Sequence, residues 1–140
     1  MSSYFVGVDI GGSHAEGVRL DATGRVCMKA YFPLPEKEKE PVMREISSLI
    51  EKLCGGKSDD ITVAGIGIGL PGTVKGGKLI HAPNMPFIDG TDFRKLLLKH
   101  SKNAVVENDV KCLAFGEMKR RGKTDLIALT LGTGVGGGIA

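Results

Sequence analysis

The chain has 140 residues, a length that fits about one domain with a genuine core. Nineteen Lys and Arg against sixteen Asp and Glu give a net charge of +3, too mild to imply a nucleic-acid or membrane partner. A hydrophobic fraction of 41% with 25% charged residues excludes disorder as the general state.

Tyr4 to Ile10 reads as a strand, Gly11-Gly12-Ser13 breaks it, and Ala15 to Leu20 resumes. After the turn signal Asp21-Ala22-Thr23-Gly24, Arg25 to Phe32 is a third β-rich run, so the chain opens on an antiparallel meander. Pro41 stands at a plausible helix start, and Val42, Ile46, Leu49, Ile50 and Leu53 recur at helical spacing up to Gly55-Gly56. Ile61 to Ile68 is nearly continuously apolar, as a central strand buried on both faces would be. Residues 69–86 are too rich in Gly and Pro for a helix and form a long loop or a small hairpin. Asp92 caps a short helix with Phe93, Leu96 and Leu97 inward. Ala104 to Glu107 is a short strand, and Asn108 or Asp109 caps a helix to about Arg121, closed by Gly122. Its inward stripe is Val110, Leu113, Ala114 and Met118. Leu126 to Leu131 is a last strand before a glycine-rich end. This order gives a mixed sheet with helices able to cover both faces.

The charge is uneven: residues 1–70 carry 8 basic and 10 acidic groups, residues 71–140 carry 11 and 6. The tilt is compatible with a phosphorylated ligand without pointing to one. Cys27, Cys54 and Cys112 are far apart and form no CxxC, which argues against a disulfide framework or local zinc knuckle and for a reducing cytoplasm. The start of the chain lacks the features of a signal peptide, and no apolar run approaches the about 20 residues of a membrane span. Glycine is the anomaly. It supplies 21 of the 140 residues, about twice the usual ~7%, concentrated near 7–17, 65–77 and 132–138.

Val8 to Ser13 can be laid on Leu129 to Gly134 at a constant offset of 121: apolar strand, polar residue, small-residue turn. A duplicated unit would leave one full copy here and only the opening hairpin of a second.

Two generic nucleotide motifs fail on context. Gly67-Ile68-Gly69-Leu70-Pro71-Gly72 fits GxGxxG, but Pro71 and the Gly/Pro-rich stretch after it exclude the helix that a dinucleotide fingerprint must open. Gly72, four residues, Gly77-Lys78 resembles a P-loop, yet Leu79 replaces the magnesium-binding hydroxyl. Asp9-Ile10-Gly11-Gly12-Ser13 is better: a carboxylate at a strand end can hold hydrated Mg²⁺, and the glycine amides can approach an anion. The plainer reading is a tight hairpin whose turn amides Asp9 bonds. Gly132-Thr133-Gly134 opens a second such nest, running to Gly137, with a flexible tail as its alternative. At the strand-to-helix junction Glu107-Asn108-Asp109, Asp109 could take a proton from an alcohol and Asn108 could bond a neighbouring hydroxyl, or both could simply be cap residues. His14, His81 and His100 form no ligand pattern, and His100 is expected at the surface.

Five segments, Asp9-Ile10-Gly11-Gly12-Ser13, Gly69-Leu70-Pro71-Gly72, Ala82-Pro83-Asn84, Glu107-Asn108-Asp109 and Leu131 to Gly138, occur in the order seen in ROK sugar kinases (repressor, open reading frame, kinase). The chain resembles that family over its whole length. The resemblance implies an α/β, ribonuclease H-like mixed sheet of the actin/hexokinase superfamily, with helices on both faces. Residues 1–122 would be the N-terminal lobe and 123–140 the opening hairpin of a truncated second lobe. It implies Asp109 as general base toward a sugar hydroxyl, Asn108 beside it on the sugar, and Gly72 and Asn84 lining the pocket. Asp9, Gly11, Gly12 and Ser13 would form one phosphate loop, with Asp9 near Mg²⁺, and Gly132, Thr133 and Gly134 the other.

ATP and Mg²⁺ are the implied cofactors, and a sugar and a nucleotide the implied partners. No nucleic acid or membrane is expected, while a cytoplasmic homodimer is. Leu126 to Ala140, without a second lobe, is expected to fray, to fold back, or to pair with another copy's edge and so build that dimer. The family's zinc ligands lie downstream of Ala140, so no structural zinc is expected in this chain. The implied activity is γ-phosphoryl transfer to a hexose or aminosugar, with the 140 residues inactive alone. Ser13 stands where Thr is common, and Val110-Lys111 replaces a small residue and Asn. Alternatives are a ROK sugar-sensing transcriptional regulator, disfavoured because Tyr4 already opens the first strand, and a non-catalytic binding remnant.

Overall fold

The computed structural model describes residues 2–34, 37–56, 61–131 and 135–140. The first half runs β1 (Ser2–Ile10), β2 (His14–Leu20), β3 (Val26–Pro33), α1 (Lys39–Leu53) and β4 (Ile61–Leu70). There follow β5 (Thr73–Lys75), β6 (Lys78–His81), a 3-10 turn at Pro86–Ile88, and α2 (Phe93–Leu97). The chain finishes with β7 (Ala104–Asn108), α3 (Asp109–Arg121), β8 (Ile127–Leu131) and β9 (Val135–Ile139).

The main sheet has the order β3-β2-β1-β4-β7. The first three strands form the expected antiparallel meander, while β4 and β7 join parallel to β1. The Gly11 amide donates to the His14 carbonyl at 2.8 Å to close the first turn. In the second, Asp21 Oδ1 accepts from the amides of Thr23 and Arg25. β4 runs two residues past its expected end because its neighbours keep pairing: Gly69 lies between Asp9 and Glu107, and Leu70 opposite Asn108.

Alternation along β1 decides what each face carries. Val6, Val8 and Ile10 point into the core, with Ile66, Ile68 and Leu70 of β4 beside them. α1 covers this side through Val42, Ile46, Leu49, Ile50 and Leu53, all at most 1% exposed. The helix starts at Lys39, two residues before the expected start, since a proline in the first turn loses only an N–H that no helical carbonyl could receive. β5 and β6 resolve the Gly/Pro-rich stretch into a small hairpin, and Leu79, Ala82, Met85, Ile88 and Phe93 extend the same core beneath it.

The opposite face carries Phe5, Gly7 and Asp9 on β1 and Gly65, Gly67 and Gly69 on β4. α3 lies on this side: a Cβ built on Gly69 would meet the Asp109 Cα and the Cys112 sulfur. Only Val110 and Ala114 of α3 are buried, whereas Leu113 is 44% exposed. The four-residue inward stripe read from the sequence is therefore narrower in the fold. Gly122 ends the helix at φ +61°, a left-handed turn that glycine adopts without Cβ strain.

β8 and β9 pair as a separate two-stranded ribbon against α3. The glycine run was expected to continue a phosphate nest through Gly137, but residues 135–139 are strand. Its glycines serve close packing instead. A Cβ at Gly138 would stand 2.8 Å from the Val110 carbonyl oxygen, and one at Gly136 would stand 2.7 Å from Val110 Cγ2. Among the described residues no helix is long and apolar enough to cross a membrane.

Candidate active site at the strand ends

The C-terminal ends of β1, β4 and β7 lie side by side, and the residues singled out in the sequence gather there. A Cβ at Gly69 would lie 3.3 Å from Asp9 Oδ1, 3.3 Å from the Asp109 Cα and 3.6 Å from Cys112 Sγ. The absence of a side chain at Gly69 thus leaves the space between the two acidic residues open. A cleft of about 490 Å³ occupies it, floored by Gly7, Gly67 and Gly69 and flanked by Asp9, Asp109 and Cys112. Thr130 of β8 borders it as well. A larger hollow of about 580 Å³ lies over β1, β2 and β3 and shares Gly7, Val8 and Asp9, but does not reach Asp109. The smaller one is where Asp9 and Asp109 meet.

Asn108 is the N-cap of α3: its Oδ1 accepts from the amides of Val110 at 3.0 Å and Lys111 at 3.2 Å. Its Nδ2 donates to the Gly72 carbonyl at 3.1 Å. Cap and tether together fix the start of α3, and with it Asp109, whose Oδ1 accepts from the Val110 amide at 2.9 Å. Among the described residues Asp109 Oδ2 has no hydrogen-bond partner, and Asp109 lines the cleft. Glu107 accepts from the Asn108 amide at 2.8 Å and pairs with Lys111 at 3.5 Å.

Asp9 is open to solvent by surface area, yet it stands in a concavity between β2 and α3. Loss of water around it, then the charges of Asp109 and Glu16, push its carboxyl above the ordinary value; His14 pulls it the other way. Carboxylates that crowd one another present the hard oxygen donors a divalent cation neutralises. No group of three or more acidic, His or Cys residues able to hold a metal is found among the described residues. Mg²⁺ is commonly held by one or two carboxylates plus phosphate oxygens and water, and Asp9 is a carboxylate at the mouth of this cleft.

Gly11, Gly12 and Ser13 form the turn beyond Asp9. Ser13 Oγ lies 3.2 Å from His14 Nδ1, and the His14 ring stacks on Tyr31 at 5.1 Å. A Cβ at Gly12 would be 3.8 Å from the Asn84 Cβ, so the turn and the loop after β6 meet. Gly72 packs against that loop more closely still. A Cβ there would collide with the His81 carbonyl oxygen and lie 2.9 Å from the Ala82 Cα.

Asp9, Gly11, Gly12, Ser13, Gly72, Asn84, Asn108 and Asp109 are thus brought to one end of the sheet, with Asp9 and Asp109 on the same side. Gly132, Thr133 and Gly134 lie outside the described residues. Glu16 and Cys112 were missed by sequence reasoning. Glu16 faces Asp9 across the hairpin, which counting back from the turn would have given, and Cys112 sits one helical turn beyond Asp109. His100 is half-buried rather than at the surface, and burial lowers its pKa.

A mixed five-stranded sheet with a leading antiparallel meander, helices on both faces and acidic residues at the strand ends is the α/β, ribonuclease H-like architecture. The ROK family model matches residues 5–140, and the chain belongs to the ROK family. It is 31% identical to a glucokinase of Halalkalibacterium halodurans, covering 97% of this chain and 43% of that enzyme. The solved ROK family glucokinase of Streptomyces griseus, in complex with glucose and AMPPNP, superposes with a TM-score of 0.77 at 30% identity. That match covers 97% of this chain and 44% of the other. A xylose repressor of Bacillus subtilis is 25% identical over 99% of this chain and 37% of its own length. The chain therefore spans less than half the length of each of these three relatives.

Proposed function

We propose that these residues form the N-terminal lobe of a cytoplasmic sugar kinase that moves the γ-phosphoryl group of ATP to a hydroxyl of a hexose or aminosugar. Asp109 is the general base, and Asn108, Gly72 and Asn84 line the sugar side. The observation that carries the reading is the convergence of Asp9 and Asp109 over Gly69, which sets an acceptor-hydroxyl partner beside a cation ligand.

In this reading Asp109 takes the hydroxyl proton on the oxygen not bonded to the Val110 amide, as the sugar oxygen attacks phosphorus. Asn108 holds the helix start so that this oxygen keeps its aim. The Gly11 to Ser13 turn offers amides and a hydroxyl to phosphate oxygens, with Gly132, Thr133 and Gly134 as the second loop. Mg²⁺, when bound beside Asp9, supplies charge neutralisation on the phosphates. Residues 123–140 are the opening hairpin of the second lobe, and phosphoryl transfer requires the remainder of the relatives' length.

Titrating the ¹⁵N-labelled 140-residue chain with D-glucose and N-acetylglucosamine tests the sugar site. Saturable shifts centred on Asn84, Gly72, Asn108 and Asp109 are expected for one of them, with no sugar phosphate formed when ATP and Mg²⁺ are added. Absence of shifts with either sugar contradicts the site, and turnover contradicts the need for a second lobe.

The second reading is a sugar-sensing regulator, favoured by the likeness to the xylose repressor. Sugar binding together with salt-dependent, sequence-specific DNA binding would select it.

A further inference from the structure

The loop that carries Asn84 is closed at its base by backbone pairing: the Gly90 amide donates to the Leu79 carbonyl at 2.7 Å and the Leu79 amide to the Thr91 carbonyl at 3.0 Å. Beyond that base, one carboxylate bridges its two arms. Asp89 Oδ1 accepts from the Ala82 amide at 2.8 Å, and Asp89 Oδ2 accepts from His81 Nδ1 at 2.9 Å. Below this clamp, Ala82, Met85 and Ile88 are wholly buried and root the loop in the core, while Asn84 and Pro83 stand exposed above it.

The clamp acts on one peptide group. The Ala82 N–H bound by Asp89 and the His81 carbonyl belong to the same planar unit, and that carbonyl faces Gly72 so closely that no Cβ fits between them. The Gly72 carbonyl in turn accepts from Asn108, the cap of the helix that begins at Asp109. Turning the 81–82 peptide would push its oxygen into Gly72 or withdraw the surface on which Gly72 rests.

We propose that Asp89 is a positioning residue for the sugar side of the cleft. By holding the His81–Ala82 peptide, it sets Gly72, and through Gly72 the Asn108 amide beside Asp109; by bridging the arms of the loop beyond its backbone-paired base, it holds Asn84 against the Gly12 turn. The proposal rests on the sugar-kinase reading for its consequence, although not for the coupling itself. His81 is the secondary arm. Loss of its ring leaves the Ala82 amide bond in place.

The test compares the native 140-residue chain with D89A, D89N and H81A. Without ligand, D89A is expected to move the Gly72 amide and Asn108 side-chain resonances and to speed hydrogen exchange at Ala82. Asparagine keeps an oxygen for the Ala82 amide, so D89N is expected to restore native positions, and H81A to leave Gly72 unmoved. With whichever of D-glucose and N-acetylglucosamine the native chain binds as probe, D89A should weaken binding by about tenfold, the effect of losing one such contact. D89N should bind nearly as the native chain does and unfold at nearly the native temperature, while D89A, which strips the acceptor from the Ala82 amide, should unfold at a lower temperature.

Unmoved Gly72 and Asn108 resonances in D89A would overturn the proposal, as would native sugar affinity in D89A. If D89A does not fold, H81A and D89N carry the test: both are expected to keep the native Gly72 position and D89N the native exchange rate at Ala82, and a Gly72 shift in H81A or faster Ala82 exchange in D89N would overturn the proposal. A native chain that binds neither sugar defeats the kinase reading alone, because the ligand-free resonances still report on the clamp.

Discussion

Asp9 and Asp109 reach the same glycine from separate elements: a Cβ on Gly69 would touch both the Asp9 carboxylate and the Asp109 backbone, at 3.3 Å each. One residue is next to last in the first strand and the other begins the last helix of the main fold, a hundred positions apart in the chain. Their convergence makes the end of the sheet acidic and open, which is costly for the fold and useful for chemistry.

The cost predicts a pH dependence. The folded-state pKa of Asp9 lies above its ordinary value of 3.8, through lost hydration and the Asp109 and Glu16 charges. The fold is therefore relieved of this penalty at pH below 3.8 and incurs it as pH rises through the raised folded value. Asp9→Asn removes a charge that the site disfavours, so thermal unfolding should show the variant more stable than wild type at pH 7. The gap should shrink toward pH 3, and millimolar Mg²⁺ should narrow it at pH 7 by stabilising wild type. A variant less stable at every pH would count against the account.

Gly72→Ala should destabilise the fold by about 1–3 kcal/mol, the usual cost of overpacking, because its methyl would meet the His81 carbonyl. Urea unfolding measures this. A midpoint equal to wild type would mean that the 69–72 turn is not held against the loop.

Asn108 has two separable jobs. Asn108→Ala loses the cap and should cost about 1 kcal/mol, read in urea unfolding. Asn108→Asp keeps an oxygen for the Val110 and Lys111 amides but loses the donor to Gly72. It should retain stability close to wild type while shifting the Gly72 amide resonance.

The β8–β9 ribbon leaves Ile127, Leu129, Leu131, Val135 and Ile139 between 68% and 83% exposed, an apolar surface larger than a free ribbon tolerates well. Self-association that rises with concentration is expected in sedimentation, consistent with a homodimer formed through these strands. Ile127→Lys with Ile139→Glu, a directly paired position, should abolish it. Association unaffected by this pair of changes would place the contact elsewhere.

What could be read from the sequence was what neighbouring residues determine. The turn after Asp9, the cap at Asn108 and the stop at Gly122 each depend on a few consecutive residues, and the fold has them where the pattern put them. Glu16 and Cys112 needed strand register and helix phase before they could be set beside Asp9 and Asp109. The Asp89 clamp needed the path of a loop whose ends are eight residues apart. The run Gly136 to Gly138 was ambiguous in kind. Glycine serves an anion nest and a close backbone contact equally well, and only the position of Val110 decides for the second. Leu113 matched the helical stripe, yet it lines the open cleft instead of the core and stays 44% exposed.

The central claim is that Asp109 draws the proton from the sugar. The most direct measurement uses a chimera in which these 140 residues replace the matching residues of the Halalkalibacterium halodurans glucokinase, assayed with and without Asp109→Asn. The account predicts that the substitution lowers kcat by about 10²- to 10⁴-fold, the range of general-base catalysis, with the sugar KM nearly unchanged. An Asp109→Asn chimera that phosphorylates sugar at the same kcat as its parent would contradict it.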